Sequence, residues 1–377
     1  MKNTRLTQLN THRDAWVEIN LDSVENNIRE FRKNIPADMK ILGILKADAY
    51  GHGAQMLAPV MLASGMDMLG VASIDEGLDL RKEKISCDIL VVGAAPVWAF
   101  EVAAENDISL SIFSDKHLDS CKQAYERTGI KPKVHIKLDT GMNRIGLEPD
   151  YAVEFIKKVQ NSDFVDLKGI FSHLANAEDV EKTKKQFDCW NSIVNAVDTD
   201  GLLLHILNTA GSMTYNDKDV KSNMVRIGIS IYGLYPDLAP KTLFYPKLKQ
   251  VIGLKGRITN LHTMKKGSGI SYGYSYIADK DTLVATIPIG YADGVPRILS
   301  NKIYGEVNGK KVKQIGNITM DQMMFDVTGT DVKEGDIITL LNDKDLTVDD
   351  WAKIAGTINY ELPCRLKVRL PRVYVRG

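Results

Sequence analysis

Lys46 ends the apolar run Ile41–Leu45 and opens the segment KADAYGHG. A lysine buried at the end of an apolar strand is costly as a cation, so its pKa falls and its lone pair is freed. Such an amine can form a Schiff base with an aldehyde cofactor such as pyridoxal phosphate. Taken alone, a lysine in that place more often snorkels to water. Gly51 and Gly53, which let backbone approach a ligand, and the hydroxyl of Tyr50 shift that balance. Asn208-Thr209-Ala-Gly and Gly228-Ile229 supply a hydroxyl and backbone N–H groups for a phosphate, although NTAG serves equally well as a helix cap.

Arg226 lies two residues before Gly228. An arginine facing a pyridine nitrogen keeps that nitrogen unprotonated and makes the cofactor a weak electron sink, which suits a proton swap better than transamination. His173, after Ser172, is more often a bonded core histidine; beside a cofactor ring it could stack on the flat face. Lys137 points inward from mid-strand, two residues from Asp139, and an unpaired lysine there is expensive.

These residues need a scaffold. Apolar runs at Ile41–Leu45, Met68–Ala72, Ile89–Gly93, Leu110–Phe113, Val134–Leu138, Leu167–Leu174, Leu202–Leu207 and Met224–Ile229 alternate with amphipathic helix patterns such as LDSVENNIREFRKN and EKTKKQFDCWNSIVNAV. Eight strand-plus-helix units predict an α/β fold, a parallel (β/α)8 TIM-like barrel over residues 21–240. In such barrels reactive groups collect at the C-terminal strand ends, where Lys46, Arg144, His173 and Asn208 fall. Prolines 236, 240 and 246 then punctuate the chain. Beyond them β-branched, turn-bounded runs (VIGLKGRITNLHT, TLVATIPIGY, DIITLLND, RLKVRLPRVYV) predict a mostly antiparallel β domain over 241–377. Residues 1–20, a tail and the strand WVEIN, are expected to join that β domain.

Composition narrows the field. Of 377 residues, 44% are hydrophobic and 25% charged, and 48 Lys+Arg balance 48 Asp+Glu. That zero balance lacks the basic footprint of a nucleic-acid binder. The longest charge-poor stretch, 49–66, carries His52, Gln55 and Pro59, so no membrane span is expected. The N-terminus has no apolar core for a signal peptide, and four scattered cysteines form no metal knuckle. A cytoplasmic protein without a metal is the expectation.

The assembled motifs resemble the alanine racemases. ILKADAYGHG (44–53), HIKLDTGMNRIG (135–146), GIFSHLANAED (169–179), HILNTAG (205–211), MVRIGISIYGL (224–234), GISYGYSY (269–276), IPIGYADGVPR (287–297), IGNITMDQM (315–323) and INYELPCR (358–365) stand in that family's order from Trp16 to Tyr374. The resemblance implies a pyridoxal 5'-phosphate enzyme that interconverts L- and D-alanine, supplies D-alanine for peptidoglycan and works as a homodimer with composite sites. It implies that Lys46 is the Schiff-base lysine and one base, and that Tyr272 is the second. Arg144 matches the arginine at the cofactor phenolate, which also serves substrate binding, and Lys137 the lysine often carbamylated beside it. His173 and Arg226 match the ring-stacking and pyridine-nitrogen residues, with Arg226 polarising the tyrosine through His173. Tyr50, Asn208, Thr209, Gly228, Ile229 and Tyr360 match the cofactor and phosphate pocket, and Met320 the segment whose backbone holds the substrate carboxylate. Thr209 stands where serine is more usual, Ile227 where proline is frequent, and ANAED departs from the commoner ATADE.

Other readings stay open at this stage: a racemase of serine or another small amino acid, a barrel decarboxylase, or a non-catalytic protein that binds pyridoxal phosphate. The decarboxylase would pair its pyridine nitrogen with a carboxylate where this chain has Arg226. A mere binder needs no β domain bearing SYG and MDQ.

Overall fold

The structure is a computed structural model that describes residues 12–216, 218–238 and 241–377. Pro240, the expected barrel boundary there and most of the N-terminal tail lie outside the described residues. Contacts divide the chain into two units. One comprises Val24–Ala49 and Gly53–Leu248; the other comprises the described residues up to Ser23, Tyr50–His52 and Lys249–Gly377.

The strands in chain order are β1 (Ala15–Asn20), β2 (Lys40–Ile44), β3 (Met68–Val71), β4 (Ile89–Val91), β5 (Ile108–Ile112), β6 (Lys133–Lys137), β7 (Asp166–Phe171), β8 (Leu203–His205) and β9 (Met224–Ile227). There follow β10 (Ile252–Arg257), β11 (Asn260–Met264), β12 (Gly269–Ile270), β13 (Tyr276–Ile277), β14 (Thr282–Ile287), β15 (Tyr304–Val307), β16 (Lys310–Ile315), β17 (Met323–Asp326), β18 (Ile337–Leu341) and β19 (Arg372–Val375).

In the first unit β2 to β9 form one parallel sheet in the order β8-β7-β6-β5-β4-β3-β2-β9. Each of the eight apolar runs supplies one strand. β3, β4, β5 and β9 are buried at every residue, the mark of parallel strands covered on both faces. The ring closes without a ladder between β8 and β9. Asn223 N–H donates to Leu204 O and Arg226 N–H to Leu207 O, both at 3.0 Å. Helices follow the strands with their apolar stripes inward; in Val180–Val194 these are Phe187, Trp190, Ile193 and Val194. Ser73, Ser114 and Asp179 accept a backbone N–H as N-caps of their helices.

The second unit is built on a nine-stranded sheet in the order β11-β14-β17-β16-β15-β18-β10-β1-β19. All its pairs are antiparallel except β1 with β19. β10 alternates buried and half-buried residues, as a one-sided sheet requires. The stretch RLKVRLPRVYV, expected as one strand, is a strand only over Arg372–Val375. Its start belongs to a short helix, Glu361–Arg365.

Candidate active site

The barrel unit gathers its chemistry at the C-terminal ends of its strands. Tyr232, wholly buried, donates its hydroxyl to Ile44 O at 2.7 Å and fixes the end of β2 just before Lys46. Beyond Lys46 the backbone takes an unexpected form. Ala47, Asp48, Ala49 and Tyr50 have φ of 54°, 54°, 55° and 53°, and Gly51 has φ 80°. This is a turn of left-handed helix in which four residues carry a Cβ, at about 1–2 kcal/mol each. Ala49 N–H donates to Leu45 O at 2.6 Å and Gly53 N–H to Asp48 O at 3.0 Å. Asp48 Oδ1 accepts from Ala54 N–H at 2.7 Å. Nothing in the residue types announces a left-handed turn here; strain of this kind is characteristic of functional sites.

Lys137, at the end of β6, is 3% exposed, with Nζ 4.3 Å from the centroid of the Phe171 ring. Burial first, then Arg226 and Arg144, push its pKa down to about 7; Asp139 opposes them, and Lys46 adds the least. Asp139 is committed locally: its carboxylate accepts N–H bonds from Gly141 (3.0 Å), Asn143 (3.0 Å) and Arg144 (3.2 Å). Those bonds set the backbone of the loop that presents Arg144. A Cβ on Gly146, where φ is 146°, would lie 2.5 Å from Asp139 N, so only glycine lets this loop fold back.

Arg226 on β9 is the hub. Its guanidinium donates to His205 Nδ1 (3.0 Å), His205 O (2.7 Å), Ser172 O (2.7 Å), His173 Nδ1 (3.1 Å) and Ile206 O (3.1 Å). Every one of these acceptors is uncharged. A guanidinium can only donate, so both Nδ1 atoms are acceptors and both rings carry their proton on Nε2. His205 Nε2–H then donates to His135 Nδ1 at 3.0 Å, which places the His135 proton on Nε2 as well. That last nitrogen is buried and unpartnered. All three histidines are held neutral. Burial first and Arg226 next push His135 down to about 3, and His173 and His205 well below the ordinary range. Gly169 on β7 makes room: a Cβ there would lie 2.4 Å from Leu203 O and 2.7 Å from His135 Nδ1. Three cations, Arg226, Arg144 and Lys46, and one carboxylate, Asp139, thus act on Lys137. The chemistry of that donor set calls for an anion.

Asn208 does what a cap does: its Oδ1 accepts from Gly211 N–H at 2.9 Å at the start of the helix Thr209–Thr214. Thr209 Oγ1 accepts from Gly228 N–H at 2.9 Å, tying the loop after β8 to the loop after β9. The added methyl of threonine leaves this bond intact. Ile229 opens the buried 3-10 turn Ile229–Tyr232.

In the β unit Tyr50 is buried, with its ring centroid 6.4 Å from that of Tyr360. Burial, then Tyr360 and Cys364, raise its pKa above the ordinary tyrosine range. Tyr272 is 77% exposed and sits where Ser271 (φ 65°) and Tyr274 (φ 44°) are left-handed. Ser271 Oγ donates to Asn317 O at 2.8 Å and Asn317 Nδ2 to Tyr272 O at 2.6 Å. Met320 is exposed, and its carbonyl accepts from Ala292 N–H at 3.0 Å. The segment around it is braced by Asp293, which is fully buried and bonded to Arg13 and Arg369; Arg369 also holds Asp321.

Sequence reading passed over His135, His205, Glu76 and Asp293. The two histidines had a signal, since each is a polar residue inside an apolar parallel strand (HIK and HIL).

A parallel eight-stranded barrel with a buried lysine and arginine at its strand ends, and a separate antiparallel-rich sheet unit, define the class. Residues 19–236 match the family described as alanine racemase, N-terminal domain, and residues 251–374 the alanine racemase, C-terminal domain. Alanine racemase 1 of Oceanobacillus iheyensis is 36% identical, over 98% of this chain and 100% of its own. The solved alanine racemase of Clostridium difficile 630 superposes with a TM-score of 0.91 at 35% identity, over 97% of this chain and 96% of that one. A histidine racemase from Leuconostoc mesenteroides superposes at 0.88 with 28% identity, over 97% and 98% of the two chains. The chain belongs to the alanine racemase family, a family of isomerases.

Proposed function

We propose that this chain is an alanine racemase that holds pyridoxal phosphate on Lys46, works as a homodimer in the cytoplasm and supplies D-alanine for peptidoglycan. The observation that carries this reading is the cluster around Arg226: a buried guanidinium bound only by neutral acceptors, with Lys46, Lys137 and Arg144 acting on the same space. An anionic aldehyde cofactor would be attracted to these cations, and Lys46 is the amine that would hold its carbonyl carbon.

Pyridoxal phosphate, when bound, makes the α-proton of an amino acid acidic enough to remove. Lys46 takes or returns that proton on one face of the α-carbon, and Tyr272 on the other. Arg226, a permanent donor, would face the ring nitrogen and keep it unprotonated, which would restrain side reactions. His173, its Nδ1 occupied by Arg226, would offer its flat face to the ring and its Nε2–H to a phenolic oxygen. By the family resemblance, Tyr50, Thr209, Gly228, Ile229, Tyr360 and Asn208 would hold the phosphate end, and Arg144 and Met320 the phenolate and the substrate carboxylate. Lys137, partly neutral near pH 7, adds to carbon dioxide with release of a proton, giving a carbamate anion among Arg226, Arg144 and Lys46. The exposure of Tyr272 supports a dimer, because a catalytic base needs cover from water.

The test is chiral analysis of the purified protein with L-alanine, L-serine, L-histidine and L-lysine. D-alanine should accumulate toward a 1:1 mixture, with weaker turnover of serine. Faster turnover of serine, or of histidine as the name of the Leuconostoc relative suggests, would replace alanine as the substrate. No D-amino acid from any of the four would end the racemase reading.

A further inference from the structure

We infer that Glu76 is a positioning residue for Lys46, its carboxylate clasping the left-handed turn that starts at that lysine. Glu76 sits in the first turn of the helix Ile74–Lys82, where its N–H donates to the Ser73 cap. A glutamate at that position ordinarily turns back to the N–H of the capping residue. Here the side chain is diverted. Oε2 accepts from Ala72 N–H, just beyond β3, and Oε1 accepts from Ala47 N–H, both at 2.7 Å. Ala47 is the residue after Lys46 and the first of the left-handed run. One carboxylate therefore joins the ends of two neighbouring strands and spends both oxygens doing so.

The far side of the turn is closed from within, by Ala49 N–H on Leu45 O and by the two acceptors of Asp48. The lysine side is closed from outside, by Glu76. A left-handed run of residues with Cβ atoms opens toward ordinary backbone unless something holds it. Opening would swing the Cα of Lys46 and with it the amine. Hydrogen bonds to a charged group are about twice as strong as neutral ones, which suits the carboxylate to this task. Glutamine is the informative substitute: it keeps the size and one acceptor but turns an N–H group toward one of the two backbone donors.

This inference rests on the reading that Lys46 carries the cofactor, and the test separates the two. Holoenzyme is prepared as wild type, Glu76→Gln and Ser73→Ala, the last removing the helix cap while sparing the clasp. Amide hydrogen exchange over 46–53 is followed by mass spectrometry, the transfer of bound cofactor to hydroxylamine by absorbance, and Tm by thermal scan. E76Q should speed exchange over 46–53 by about ten- to a hundredfold, the loss of one charge-assisted bond, and speed hydroxylamine capture severalfold. S73A should lower Tm but leave both rates near wild type. If E76Q does not fold, Glu76→Asp, too short to span both amides, gives the same readouts. Unchanged exchange in E76Q, or equal acceleration in S73A, overturns the clasp. No borohydride label on Lys46 in wild type overturns the cofactor reading and this inference with it. A label there with unchanged exchange in E76Q overturns this inference alone.

Discussion

In the barrel unit Lys137 and Arg226 are 3% and 4% exposed, the first over the Phe171 ring and the second bonded to five acceptors, whereas in the β unit Tyr272 is 77% exposed and Met320 52%. The first arrangement fixes protonation as well as position. Burial and mutual repulsion decide which groups are charged, and a single guanidinium decides the tautomer of three rings. The second arrangement fixes position by backbone alone, through left-handed residues on both sides of Tyr272 and the Asn317 bond to its carbonyl. A side chain set that way can be replaced with little change in the stability of its unit; replacing one in the buried cluster changes it, up or down.

Tyr272→Phe draws that contrast most sharply. Racemisation should fall by about 10³ or more, the range of a lost acid–base group. Tm should barely move, since an exposed substitution changes stability by no more than about 0.5 kcal/mol. Solvent-deuterium exchange should persist for one enantiomer, served by Lys46. A large drop in Tm would erase the distinction between the two regions.

Lys137→Met inverts the expectation. Below about pH 7 the folded chain must carry a buried cation at Lys137. Between about 7 and the ordinary 10.5 the unfolded chain binds the extra proton, so stability climbs with pH through that window and levels off above it. Methionine removes the cost. In buffer free of carbon dioxide, K137M should be more stable by about 4 kcal/mol at pH 7 and by little at pH 10.5. Denaturant titrations across pH check this; a gain independent of pH would mean that packing, and not charge, sets the cost.

Arg226→Lys keeps the charge but cannot serve five acceptors from one ammonium. A loss of about 3 kcal/mol is expected in the same titrations. The smallest of the four effects belongs to Asp293→Asn. Asp293 is the one buried charged hub of the β unit described above, and a loss of about 2 kcal/mol is expected, confined to amide exchange around 290–294 and 319–321. If D293N instead left exchange unchanged, the Met320 segment would be held by its backbone bonds alone.

Much of this was legible beforehand, for physical reasons. Parallel strands buried on both faces read as unbroken apolar runs, so β2 to β9 stood out. A charged residue in such a run is rare enough to mark Lys46, Lys137 and Arg226. Other features left no trace. Ala47, Ala49 and Tyr50 have no preference for positive φ and Asp48 only a slight one, so their left-handed turn is held by the bonds around it. One of these comes from Glu76, 29 residues away along the chain. Asp293 is an ordinary turn aspartate until Arg13, 280 residues earlier, folds onto it. RLKVRLPRVYV alternates like a strand, yet its first residue ends the helix Glu361–Arg365.

The three histidines and Arg226 form an unbroken file of hydrogen bonds, and such files elsewhere conduct protons by shuttling hydrogens from ring to ring. This one cannot. Conduction would require each bond to reverse, and a guanidinium cannot become an acceptor. Arg226 therefore acts as an insulator set in the middle of the wire. A proton held beside His173 has no route through His205 and His135 into the barrel interior, and none can arrive that way. Hydrogen exchanged beside His173 does not pass along this file.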